Sequence, residues 1–318
     1  MPSLESLEKP ISSRRHGRLG ASDGPVPAAA ELHQRLADFN RQRLRPAMIA
    51  ADWREQIEGD AAMRLVEAQF LERERAAVAP RAASAPCDPA AFVAWFEALE
   101  QNGPGQGDRL FPYLAERATY EEMRWFLAQE VAGEAGFDDL VALTQVGFPV
   151  QAKLELARNY WDEMGRGNRK GMHGPMLHTL ARALAVVPVA ETTVWQSLAL
   201  NNLMVGLAAN RRYAFQSIGA LGAIELTAPG RAAQVSAGLR RLGVPAKARH
   251  YFELHAVLDV KHSQSWNREI LRSLVADQSQ AATAIAEGAL LRLSFGERCF
   301  RRYRAQFGLT GDPAATRR

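Results

Sequence analysis

The feature that most constrains the fold of this chain is the spacing of its apolar residues. Between residues 28 and 79 they recur three to four positions apart, as in Leu32, Leu36 and Phe39, which is the period of an amphipathic α-helix. From residue 90 onward similar segments follow one another, separated by short breaks that contain Gly or Pro. β-Branched residues are scattered, and no Asn-Gly or Asp-Gly pair lies between alternating runs. The sequence therefore predicts an all-α fold.

Composition divides the chain into a tail, a helical extension and a larger helical domain. Residues 1–30 are rich in Ser, Pro, Gly and Arg and have no apolar period, so they are expected to be disordered. Residues 31–100 are predicted to form an N-terminal helical extension, residues 101–308 the main domain, and residues 309–318 a flexible tail. The predicted helices span residues 90–101, 118–131, 137–163, 172–186, 190–208, 211–226, 229–241, 246–274 and 278–306.

Charge and cysteine content exclude several classes of protein. The 318 residues carry 39 Lys and Arg against 35 Asp and Glu, and much of the arginine lies near the two ends, so no nucleic-acid partner is expected. Two cysteines cannot build a disulfide scaffold or a four-thiolate zinc site. No apolar run is long enough to span a membrane, and the first residues lack the apolar stretch of a secretory signal. We therefore predict a cytoplasmic protein with no membrane partner.

The most informative motif combines His255, Asp259 and His262. Spacings of four and three residues place these side chains within roughly 60° of one another around a helix. Val257 and Leu258 lie among them, so the helix is expected to be largely buried, where ionisable groups are unfavourable unless paired or bound to metal. The mixed nitrogen and oxygen donors suit iron, manganese or zinc. The alternatives are a solvated stripe and histidines hydrogen-bonded within the core.

One helix cannot close a metal site, so ligands from other helices are required. Glu225 stands alone in the apolar run 219–229, and Glu163 precedes a glycine-bearing turn that ends at His173. Glu130 ends an aromatic-rich segment. For Glu225, a helix end facing water is the alternative. With the three-residue motif above, these residues exceed the three ligands of a mononuclear two-histidine, one-carboxylate site, which favours two metal ions. The chain contains no Glu-x-x-His pair, so ferritin-like architecture is disfavoured.

Together these motifs resemble those of the haem-oxygenase-like diiron oxidases, also called iron-containing redox enzymes. The resemblance covers about residues 110–305 and rests on segments 126–130, 159–173, 219–229 and 255–262. It implies a multi-helix bundle of the haem oxygenase type that holds two irons without haem. The ligands that it implies are Glu130, Glu163, His173, Glu225, His255, Asp259 and His262, with Glu134 or Glu155 as alternatives to Glu130.

The resemblance also implies a function. It suggests a non-haem diiron oxidase or oxygenase with two Fe(2+) per chain, which uses O₂ as co-substrate to oxidise a small amino-acid-like or fatty-acid-like metabolite in a biosynthetic pathway. The reaction stays open among decarboxylation, N-oxygenation, desaturation and C–C cleavage. The expected partners are a small-molecule substrate, an external electron donor and a second copy of the chain.

Other interpretations of the same residues stay open. One is a protein of the same fold without metal redox chemistry, of the thiaminase or PQQ-synthase type. Another is a non-catalytic binding module. Arg211 and Arg212 are candidates to meet a substrate carboxylate, and their alternative is a solvated helix start.

Overall fold

The computed structural model describes residues 26–49, 52–133, 136–187 and 189–309 and folds them as helices joined by short turns. No strand occurs among these residues, so the predicted all-α fold is confirmed. Most of the predicted N-terminal tail, and residues 310–318 of the C-terminal one, lie outside the described ranges. The helices are α1 (Val26–Leu44), α2 (Trp53–Ala82), α3 (Pro89–Asn102), α4 (Leu110–Glu116), α5 (Tyr120–Gly133), α6 (Phe137–Thr144), α7 (Val150–Glu163), α8 (His173–Ala183), α9 (Trp195–Ala209), α10 (Ala214–Arg241), α11 (Ala246–Ser265), α12 (Arg272–Asp277) and α13 (Ala281–Gln306).

Helix α10 lies at the centre of the bundle, where it packs against α4, α9, α11 and α13. At its crossing with α13 the two backbones touch. A methyl group added at Gly219 would lie 1.8 Å from the carbonyl oxygen of Ile285, and one added at Gly288 would lie 1.8 Å from that of Gln216. Because only glycine permits this approach, the two helices are held in one relative position.

The structure corrects two predicted features of the helix pattern. The predicted helix 137–163 is two helices, because Gly147, with φ of 77°, and Pro149 separate α6 from α7. Conversely, α10 runs unbroken through Pro229, where a break was predicted. Pro229 is buried inside the bundle, so packing on all sides of α10 outweighs the backbone hydrogen bond that proline cannot make.

Buried apolar side chains form two clusters, and α10 contributes to both. The first includes Phe70, Phe96 and Trp266, and the second includes Phe126 and Phe300. The N-terminal helices α1 and α2 pack against α9 and α13, so they are part of the bundle surface. None of the described helices combines the length and apolar composition needed to cross a membrane.

A π-helical turn, Trp266–Leu271, joins α11 to α12. It packs the indole of Trp266 against α10, where a methyl group at Gly222 would lie 2.6 Å from Trp266 Nε1. A π turn closes its hydrogen bonds one residue further along the chain than an α turn. The turn therefore changes the rotational register of α12 relative to α11.

Candidate metal centre

Six buried ionisable side chains converge where α7, α8, α10 and α11 meet. All of them are less than a tenth exposed, from 2% for Glu225 to 7% for His255. Two of these side chains lie at helix ends, and three lie on one face of a single helix. They are Glu163 at the end of α7, His173 at the start of α8, Glu225 in α10, and His255, Asp259 and His262 in α11.

A tight turn brings Glu163 and His173 together. Gly165 enters it with φ of 61° and Arg166 follows with φ of 51°, a conformation that L-residues rarely adopt. A methyl group at Gly165 would lie 2.5 Å from the carbonyl carbon of Gly171, so glycine is required where the turn closes on itself. As a result, His173 Nδ1 lies 2.8 Å from Glu163 Oε2.

Five of the six side chains present donor atoms that fall into two sets sharing Glu163, whereas Asp259 belongs to neither set and lies beside them, with Oδ1 3.9 Å from His262 Nδ1. Glu163, His173 and His255 present atoms that all lie within 4.8 Å of one another, and so do Glu163, Glu225 and His262. Metal–ligand bonds of about 2 Å separate ligands on opposite sides of an ion by about 4 Å. Each set therefore has the dimensions of one ion's ligand shell, and the Glu163 carboxylate lies between the two.

Hydrogen bonds outside the cluster fix which ring nitrogen faces it. His255 Nδ1 lies 2.6 Å from the carbonyl oxygen of Tyr251. A carbonyl only accepts, so Nδ1 carries the proton and Nε2 faces the cluster. His262 Nε2 lies 3.1 Å from Asp162 Oδ2, and its Nδ1 lies 3.4 Å from Glu225 Oε2. Outer hydrogen bonds of this kind are typical of metal-binding histidines.

Two buried atoms of the cluster have no hydrogen-bond partner among the described residues. They are Asp259 Oδ1 and His262 Nδ1, which lie 3.9 Å apart. A buried polar atom without a partner is unfavourable, and coordination to a metal would satisfy both. Imidazole nitrogens and carboxylate oxygens together suit iron and other first-row ions, so these residues fit a metal.

Ionised Glu163 is stabilised by the imidazoles around it. Burial opposes its ionisation, but His173 and His255 outweigh that effect and hold the pKa of Glu163 well below its usual value. Burial likewise disfavours the charged form of His255, yet Glu163 and Asp259 raise the pKa of that imidazole. In the metal-free chain, protons on imidazoles thus balance carboxylate charge.

The second half of the cluster shows the same balance. Burial, followed by the nearby charge of Glu225, raises the pKa of Asp259 well above its usual value. Burial disfavours protonated His262, but Glu225 and Asp162 outweigh it and raise the pKa of His262 to about 10. A metal ion binding to these atoms would displace the protons, because ligands bind in their deprotonated forms.

The structure describes two of the three glutamates that were alternatives for one predicted ligand, and it places them differently. Glu130 faces the same cavity as the cluster but belongs to neither donor set, and the hydroxyl of Tyr303 donates to it at 2.9 Å. Glu155 is buried, pairs with Arg158 at 2.8 Å and also belongs to neither set. Glu134 lies outside the described residues. The assignment of a ligand among them stays a prediction.

Three side chains that the sequence did not single out contact the cluster. Asn159 Nδ2 donates to Glu225 Oε1 at 2.6 Å, Tyr251 Oη lies 3.1 Å from His173 Nε2, and Asp162 contacts His262 as described above. Asn159 and Tyr251 each precede a predicted ligand by one helical turn, on the same helix face. That spacing could have identified them, whereas Asp162 carries no such signal.

A cavity of about 150 Å³ opens beside the cluster. A cavity of this size holds a small organic molecule such as benzene. Its wall combines the cluster with apolar side chains from both buried clusters of the bundle. Among the lining residues are Glu163, His173, Glu225, His255, Asp259, Phe126, Phe137 and Phe300.

The fold and the site together define a helical protein with a candidate non-haem metal centre. The sequence profile of the iron-containing redox enzymes matches residues 124–297, more than half of the chain. The protein belongs to this family.

No curated protein matches the chain. Among solved structures it is similar to a CADD-like protein of unknown function from Nostoc punctiforme PCC 73102, with a TM-score of 0.52 and 17% sequence identity. The match covers 69% of this chain and 96% of that one. At this identity the likeness concerns the fold alone, and with the family it confirms the predicted haem-oxygenase-like bundle.

Proposed function

We propose that this protein is a non-haem diiron oxidase or oxygenase that uses O₂ to oxidise a small amino-acid-like or fatty-acid-like metabolite in a biosynthetic pathway. The observation that carries the proposal is the position of Glu163, which belongs to two buried donor sets at once. A mononuclear site would need only one such set. Membership of the iron-containing redox enzymes supports iron as the metal.

The six clustered side chains would hold the two ions, with Glu163 as a member of both donor sets and Asp259 beside them. Two ferrous ions held there would supply the electrons and the open coordination positions for oxidation by O₂. The surrounding residues fix the donors in place. The carbonyl of Tyr251 holds the proton on His255 Nδ1, Asp162 holds the proton on His262 Nε2, and Asn159 orients the carboxylate of Glu225.

The cavity supplies the place for the substrate. Phe126, Phe137 and Phe300 line it together with the carboxylates and imidazoles, so an apolar portion of a substrate would contact aromatic rings while its reacting atom lies beside the donors. These rings also exclude bulk water from the bound substrate. The small volume limits the substrate to a small metabolite.

Titration of the metal-free protein with ferrous iron under anaerobic conditions tests the proposal. We expect binding of close to two equivalents per chain, followed by O₂ consumption when air is admitted. The Glu163→Ala variant should bind less than one equivalent and consume no O₂, because both donor sets lose their shared carboxylate, while its helical circular dichroism is retained. Lys153→Ala is the matched control, because Lys153 is exposed on the same helix, and it should still bind two equivalents.

Each outcome has a separate meaning. A wild-type stoichiometry of one or less would refute the dinuclear site. Two equivalents of iron without any O₂ consumption would refute the oxidase activity while leaving the metal centre intact. Full activity in rigorously metal-free protein would favour the thiaminase or PQQ-synthase type of chemistry on the same fold.

A further inference from the structure

The cavity beside the proposed ligands has a basic end that the metal centre does not use. Arg231 and Arg292 both line it. Arg231 Nη2 is buried and has no hydrogen-bond partner among the described residues. Burial, followed by the charge of Arg292, lowers the pKa of Arg231 to about 9. A buried guanidinium nitrogen without an acceptor is unfavourable for folding, so its position at a cavity wall points to an anionic ligand.

The guanidinium of Arg231 packs against two aromatic rings at the cavity wall. Its central carbon lies 4.8 Å from the centre of the Phe300 ring and 5.6 Å from that of Phe111, and both rings also line the cavity. Stacking of this kind stabilises the guanidinium cation. Ring contacts do not satisfy the N–H groups as an oxygen acceptor would, and a guanidinium can bind a carboxylate through two parallel hydrogen bonds.

The described charges around Arg231 do not neutralise it. Arg292 is a second cation at the same end of the cavity, and Glu130 is the carboxylate that acts on Arg231. Glu130 already accepts a hydrogen bond from the hydroxyl of Tyr303. Of the two described charges that act on Arg231, one is a second guanidinium and one is a carboxylate, so together with Arg231 they leave a net positive charge.

We propose that Arg231 binds the carboxylate of the substrate, so that the substrate is a small organic acid whose apolar part extends along the phenylalanines toward the metal ligands. The assignment rests on the proposed function and deepens it by naming the residue that binds the acid group of the substrate. Glu225 and Arg231 lie on the same helix, six residues apart, which corresponds to about 9 Å along the helix axis. The carboxylate is thus anchored away from the metals, and a carbon further along the chain lies beside them.

Binding of hexanoate to the metal-free protein tests this assignment. Isothermal titration calorimetry should show tighter binding of hexanoate than of hexanol, which has the same chain without the charge. In Arg231→Met the affinity for hexanoate should fall by about 10- to 100-fold, because a charge-assisted hydrogen bond is lost, while the affinity for hexanol stays unchanged. Arg240→Met is the control from the same helix, since Arg240 is exposed and pairs with Glu253 outside the cavity.

A second measurement separates anion binding from a purely structural role. Arg231→Met removes a guanidinium whose buried Nη2 has no hydrogen-bond partner among the described residues, so the melting temperature of the ligand-free variant should equal or exceed that of the wild type. Hexanoate should raise the melting temperature of the wild type and leave that of Arg231→Met unchanged. Arg231→Gln provides the same test if the methionine variant does not fold.

Two results would overturn the assignment. One is a lower melting temperature of Arg231→Met with hexanoate affinity unchanged, which would make the arginine structural. The other is hexanoate binding that appears only after loading with ferrous iron and is insensitive to Arg231→Met, which would place the carboxylate on the metals. Because the main measurement uses metal-free protein, its failure is distinct from failure of the iron titration.

Discussion

Two groups of buried carboxylates in this protein are similarly shielded from water and differ in their partners. The first group lies in the candidate metal centre and consists of Glu163, Glu225 and Asp259, which are 2–4% exposed. The second group lies on α2 and α13 and consists of Glu67, Glu74 and Glu287, which are 2–7% exposed. Burial alone therefore does not distinguish a candidate site from a structural network.

The partners do distinguish them. In the second group every carboxylate meets a guanidinium: Glu67 pairs with Arg43 at 2.5 Å, Glu74 with Arg298 at 2.7 Å and Glu287 with Arg75 at 2.9 Å. In the first group the cationic partners among the described residues are imidazoles. Arginine stays charged at all ordinary pH values, whereas an imidazole can exchange its proton for a metal. We call the first group the open group, because a metal can replace the protons of its imidazole partners. We call the second the closed group, because its carboxylates stay paired with arginine.

The largest expected effect concerns the closed group. Arg75→Met would leave Glu287 buried without its guanidinium partner, and Gln216, at 2.8 Å, would be the remaining donor to it among the described residues. Removal of one member of a buried ion pair destabilises a protein by about 3–5 kcal/mol. We expect a loss of that size in urea unfolding and an unchanged iron stoichiometry. Loss of iron binding without loss of stability would erase the distinction between the two groups.

An intermediate effect is expected at the edge of the open group. Asp162→Asn removes the charge that holds the outer proton of His262, and loss of such a partner weakens metal binding by about 10- to 100-fold. A competition titration with a chelator measures the change in ferrous iron affinity. Glu155→Gln is the matched control, because Glu155 lies on the same helix and pairs with Arg158. An equal loss in both variants would make Glu155 a ligand.

The smallest expected effect is a pH dependence of the metal-free protein. Because the pKa of His262 rises from 6.5 to about 10 on folding, its contribution to stability is fully present below pH 6.5 and is lost as the pH rises toward 10. The melting temperature should therefore fall between pH 6.5 and 9, and less steeply in His262→Gln. Saturating ferrous iron should reduce the slope, since the metal replaces the proton. An identical slope in the wild type and the variant would contradict this account.

The sequence predicted the class of fold because helical periodicity is a local property. It predicted helix ends less well, since the same signals had opposite outcomes. Gly147 and Pro149 end one helix and begin another, whereas Pro229 lies within α10. The difference depends on what packs around each proline, which a single sequence does not specify.

For the candidate site, too, the sequence predicted some residues and missed others. The spacing of His255, Asp259 and His262 placed them on one helix face, and the structure brings Glu225 to them. The arginines that the sequence suggested for a substrate carboxylate are not the ones that line the cavity. Arg211 donates to the carbonyl oxygen of Thr144 at 3.0 Å, and Arg212, which is exposed, pairs with Glu72 at 3.2 Å, so neither lines the cavity. Arg231 lines it, although nothing in its neighbourhood in the sequence indicates an anion site.

The π-helical turn after α11 makes the length of this segment as restrictive as its composition. Deleting one residue between Trp266 and Leu271 would shorten the turn and rotate everything that follows by about 100°. Leu274 and Val275, both buried, would then swing out of the interior. Natural variants of this chain should accordingly accept insertions and deletions in the loops between helices and retain an unchanged residue count here.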